Sequence, residues 1–196
     1  MKAVWWTIAV VGAGLLLPVA AEDGAPSAPQ LWLLEKHSNI PMFLAGGGNT
    51  PEETTAQSQA MLKRPGLKRQ ICIAGDIRKT ILEQSPLTKD CVIPLPKPEN
   101  GAATVEGTCN GKTLRAVFAF GPDNRVRTVH TEIRDPADPG KGGTVDAVVE
   151  SPDHITVTVT LNHVLNGVPM TDVLDFRRQP GGCGDLKPGE NRAIPE

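Results

Sequence analysis

Residues 155–161 read Ile-Thr-Val-Thr-Val-Thr-Leu, which puts Ile155, Val157, Val159 and Leu161 on one face and Thr156, Thr158 and Thr160 on the other. Successive strand side chains point to opposite faces, so such a segment buries one side and wets the other. The same grammar recurs from Cys91 onward. Segments 91–95, 103–109, 114–120, 126–134, 144–150, 155–165 and 170–178 read as strands, separated by short runs of Gly, Pro, Asn and Asp. Asn-Gly at 110–111 and at 166–167 marks tight hairpins. The pattern predicts a mainly β (α+β) fold: an antiparallel meander sheet that can curl into a partial barrel, with one or two short helices and two disulfides.

Upstream of Cys91 the signals are mixed. Leu31–His37 predicts a first strand anchored by Trp32, and residues 67–74 predict another that breaks into a short helix with Asp76 as N-cap and Ile77 and Ile81 on one face. Residues 38–66 form a Gly- and Pro-rich insertion. Within it Thr50, Pro51 and Glu53 make a capping-box start for a weak helix whose apolar stripe is only Ala56, Ala60 and Met61. The Gly46–Gly48 run lacks the Lys-Ser or Lys-Thr that a phosphate loop needs, so it reads as a flexible insertion.

The first residues give an address. Lys2 is a short positive n-region, Ala3–Pro18 is apolar apart from Thr7, and Val19-Ala20-Ala21 before Glu22-Asp23 fits cleavage after Ala21. The alternative is an uncleaved segment anchoring the chain in the inner membrane, since the run approaches the length of a span. The expected organisation is a signal peptide at 1–21, a flexible lead at 22–30, a single β-rich domain at 31–186 and a flexible tail at 187–196.

Cys72, Cys91, Cys109 and Cys183 all lie beyond the signal. An even cysteine count in an exported chain reads as two disulfides, and no Cys-x-x-Cys supports zinc instead. If the strands flanking position 100 pair symmetrically, Cys91 faces Cys109 at disulfide distance, leaving Cys72 with Cys183. The pairing Cys72–Cys91 with Cys109–Cys183 stays open.

Several function classes are disfavoured. A net charge of −2 leaves no electrostatic footprint for nucleic acid, and sparse aromatics give no stacking surface. There is no nucleophile elbow, and Ser151 beside His154 in one turn does not make a triad. Glu132, Asp135 and Asp138 near a turn lack the calcium-loop pattern. No catalytic residue and no cofactor is indicated. The candidates for metal-assisted hydrolysis are His130 and Glu132, two apart on one strand, together with His163; surface histidines are the preferred reading. The expected role is a non-enzymatic binding or structural module for a small apolar ligand or an envelope protein, with membrane contact only through the signal segment.

A set of short motifs carries a resemblance. Residues 29–32 (PQLW), 69–76 (RQICIAGD), 90–93 (DCVI), 107–111 (GTCNG) and 177–186 (RRQPGGCGDL) follow one another in an order that resembles the domain-of-unknown-function family 3617 of exported bacterial proteins. The resemblance covers residues 29 to about 186. It departs at Gln30, where that family often has Gly, and at Ala74-Gly75-Asp76, where it often has Thr-Pro-Glu. The resemblance implies a periplasmic or secreted bacterial protein and carries over no activity.

Overall fold

The computed structural model describes residues 28–46, 50–75, 77, 80–81, 87–88, 91, 93, 96–97, 101–109 and 111–195. The expected signal segment with its cleavage after Ala21, most of the expected lead, the expected cap Asp76 and the turn residue Asn110 lie outside the described residues.

Among the described residues eight of the expected segments are strands and a ninth strand follows them: β1 (Gln30–Ser38), β2 (Leu67–Ile73), β3 (Ala102–Cys109), β4 (Lys112–Phe120), β5 (Val126–Arg134), β6 (Gly143–Ser151), β7 (His154–Leu165), β8 (Val168–Arg178) and β9 (Asn191–Ala193). They form one antiparallel sheet in the order β3-β4-β5-β6-β7-β8-β1-β2-β9. The run from β3 to β8 is the meander expected from the turns. At its tightest hairpin, between β7 and β8, Asn166 and Gly167 take φ of 49° and 79°, the positive pair that an Asn-Gly turn supplies. β1 then adds to the far side of β8, β2 to β1, and β9 to β2. The sheet does not close: β3 and β9 are its edges.

One face is apolar. Across β7, β8 and β1 the paired residues Ile155, Phe176 and Leu34 form a buried row, and Val157 pairs with the equally buried Leu174. Each such side chain contributes about 2 kcal/mol by leaving water. At the rim of this face Lys36 Nζ meets the buried Asp172 carboxylate at 2.6 Å.

The connection from β2 to β3 must travel between strands seven places apart in the sheet. It does so over the apolar face, where Ile81 and Leu87 are buried in the core and Ile77 and Ile93 pack against it. One disulfide anchors the chain just before this strap, residues 74–101, and the other anchors a point within it. Cys72, on the last turn of pleat before it, is bonded to Cys183, and Cys91, within it, to Cys109 at the end of β3. Ile77, Thr80 and Ile81 are helical.

Four expectations need correction. Cys91 and Ile93 are not in a strand; Cys91 N–H instead closes a turn onto Thr88 O at 2.9 Å, and the paired neighbour of β3 is β4. Prolines at 94, 96 and 98 have no N–H for a ladder. The Cys91–Cys109 bond therefore joins strap to strand and is not a cross-strand staple, although Cα–Cα is 5.4 Å. Second, the insertion holds two helices, α1 (Ile40–Leu44) and α2 (Pro51–Leu62). Third, the Thr50–Glu53 capping box forms in α2, but its buried residues are Thr54 and Ser58, with Ala56 and Ala60 exposed. The helix docks by hydrogen bonds: Asn39 Nδ2 donates to Ser58 Oγ at 2.8 Å and Asn166 Nδ2 to Thr54 Oγ1 at 3.0 Å. Fourth, the segment expected as a flexible tail carries β9, and its approach is fixed by Gly189 N–H to Cys72 O and Cys72 N–H to Glu190 O.

Loop closure scales the two staples. The Cys91–Cys109 bond spans 18 residues and Cys72–Cys183 spans 111. Serine at both Cys91 and Cys109 should cost about 3 kcal/mol, and serine at both Cys72 and Cys183 about 5 kcal/mol, in urea unfolding. The first pair should also loosen the strap, read as faster hydrogen exchange at the Ile81 and Leu87 amides while β7 stays protected.

Candidate functional site

Two cross-strand rows on the apolar face stop short of filling the space beneath the strap. One row is Phe118–Val129–Ala147 and the next is Ala116–Thr131–Val145, each contributed by β4, β5 and β6 in register. Ala116 and Ala147 are the small members. With Ile81 and Ile93 of the strap as the other wall, these rows border a pocket of about 80 Å³ in which Thr131 is the one polar residue among the described lining residues. That volume is well above the roughly 15 Å³ a water needs and below the roughly 300 Å³ of a typical small-molecule site. It suits a short apolar group or the end of a chain.

The opposite face is polar and built around two histidines. His130 and Glu132 project from it because Thr131 and Ile133, their neighbours on β5, point into the core. Register sets His130 against Asp146 of β6, and His130 Nδ1 lies 2.5 Å from Asp146 Oδ1. Asp146 also accepts from Thr144 Oγ1 at 3.2 Å; Glu132 sits 3.7 Å from His130 Nε2 and accepts from Arg134 at 3.0 Å. The hydrogen bond to Asp146 raises the His130 pKa, partial burial opposes it, and the Asp146 and Glu132 charges add to the rise.

The second cluster joins His154 Nε2 to Asp175 Oδ2 at 3.0 Å, with Arg177 Nε on Asp175 Oδ1 at 2.7 Å. Partial burial pushes the Asp175 carboxyl up, but the Arg177 and His154 hydrogen bonds hold it below the usual range. Ser151 is turned to its own hairpin, where its hydroxyl accepts from Asp153 N–H. The His154 nitrogen that faces a partner faces the carboxylate.

Of the three metal candidates the structure brings together only His130 and Glu132. His163 lies within the irregularity between Leu161 and Val164 of β7, its ring 6.1 Å from that of Phe43 in α1. Among the described residues no group of three or more His, Cys, Asp or Glu side chains is placed to share a metal ion, and no helix is long and apolar enough to cross a membrane. The two disulfides fit an oxidising extracellular or periplasmic compartment. Compared with known proteins, the chain matches no family model, no curated protein and no solved structure.

Sequence reasoning missed both the pocket and Asp146. The alternation placed Val129, Val145 and Ala147 on a face, but only the register across two turns puts them under the strap. Asp146 is likewise paired with His130 by register alone.

A histidine whose folded pKa is raised stabilises the fold while protonated. That stabilisation is full below the ordinary value of about 6.5 and is lost as pH rises through the folded value. Ring NMR should give His130 a pKa above the ordinary value, and Asp146→Asn should bring it back down. The melting-temperature gap between the native chain and Asp146→Asn should narrow as pH rises through that range.

Proposed function

We propose that this chain is an exported bacterial protein of the periplasm or the secreted fraction, directed there by residues 1–21 and related to the domain-of-unknown-function family 3617. In this reading it is a non-enzymatic module that binds a small apolar ligand between its sheet and its strap. One observation carries it: a pocket lined by Ile81, Ile93, Phe118, Val129, Val145 and Ala147, left open beneath a segment that two disulfides anchor, one just before it and one within it. A cross-linked strap over an unfilled apolar face has the parts of a binding site, namely a rigid floor, a held roof and one polar group for orientation.

Native mass spectrometry of protein purified from the periplasm tests export and binding together. It should show a chain beginning at Glu22, lighter by four protons than its reduced form, and carrying a copurifying mass that organic extraction removes. Ala147→Phe, which places an aromatic ring in the pocket, should abolish uptake of an environment-sensitive apolar dye and leave the melting temperature within a few degrees. Equal dye uptake by the two proteins would overturn the assignment of the pocket.

A further inference from the structure

The apolar pocket has a cationic neighbour on the same face. Leu87, Leu161 and the backbone of Gly140 and Gly142 line a second, open pocket of about 330 Å³ whose remaining members are Lys112, Lys141 and His163. The two pockets are ordered along β6 and the turn before it. Gly142 belongs to the cationic one, Leu87 sits over Gly143, and Val145 and Ala147 belong to the apolar one. From Gly142 to Ala147 a strand covers about 17 Å, comparable to an extended medium-length acyl chain, and among the described residues of the strap Leu87 stands over the path.

The charges are unequal in their partners. Lys141 Nζ is 3.2 Å from Asp138 Oδ2, on a side chain that is 70% exposed. Lys112 Nζ reaches only a carbonyl, Lys141 O, at 3.5 Å, and meets no carboxylate among the described residues. An ammonium with no counter-ion among the described residues, set beside leucines that continue the protein core, is complementary to an anion attached to a hydrocarbon chain.

We infer that the ligand class is a single-chain anionic amphiphile, a fatty carboxylate, with its head at Lys112 and Lys141 and its chain directed past Leu87 toward the pocket under the strap. This rests on the ligand-binding reading above. At Gly143 the tightest limit is set by the neighbouring strand, where a side chain would meet Thr160 O at 2.2 Å. Leu87 Cδ1 lies 2.8 Å from the same point, so the Leu87 side chain rests on the sheet here and must swing aside for the ligand chain to pass.

The test is displacement of an apolar dye from the delipidated full chain at pH 8 by dodecanoate and by dodecanol, which share a chain and differ in the head. Dodecanoate should compete at least about tenfold more strongly, and the advantage should shrink as salt rises. In Lys112→Gln with Lys141→Gln, both substituted at solvent-facing positions, dodecanoate should fall to the level of dodecanol while dodecanol is unchanged.

Equal competition by acid and alcohol would overturn the inference and leave the apolar pocket standing. Failure of both to compete would overturn the pocket reading and this inference with it. Cosedimentation with anionic phospholipid vesicles, with no effect of free dodecanoate, would assign the lysines to a bilayer surface and also overturn it.

Discussion

An antiparallel sheet with one apolar face cannot leave that face in water, and here its middle is covered by the connection between β2 and β3. Burying Ile81 and Leu87 of the strap contributes about 2 kcal/mol each, and Ile77 and Ile93 add partly buried area, whereas ordering the backbone costs about 1 kcal/mol or more for every residue fixed. The cross-links change the comparison by removing freedom from the unfolded chain. Cys72 determines where the strap leaves the sheet, and Cys91 determines where it comes down on β3.

The sheet is shaped to receive the strap. Leu87 rests on Gly143, and Ala147 leaves room where a Val or Leu would have closed the floor. The polar layer beneath α2 solves a different problem, because Asn39 satisfies Ser58, Pro169 O and Thr171 N–H at once and so fixes the insertion without an apolar stripe. The outer face has weaker constraints. Its histidine–carboxylate pairs are partly exposed, where ion pairs contribute little to stability.

Much of this was legible before any coordinates. Period-two alternation located β5 at Val126–Arg134, Asn166-Gly167 located a hairpin, and Thr50 with Glu53 located the start of α2. What could not be read was whatever depends on neighbours across the sheet. Nothing in Leu31–His37 says that it lies between β8 and β2, because an antiparallel strand can add to either edge of a meander. The strap misled for a related reason: apolar residues around Cys91 resemble a strand, but prolines 94, 96 and 98 deny it a ladder. The pocket needs residues as distant as Ile81 and Ala147, so no local pattern announces it.

The sheet order also sets a timetable. β1 is made first, yet its neighbour β8 spans residues 168–178, and β9, which completes the sheet, follows only at 191–193. Until β8 is made, β1 and β2 have only each other, and an isolated two-stranded ribbon is marginal in water. The buried row that Leu34 forms with Phe176 and Ile155 therefore waits for β8, although β1 is the first strand in the chain.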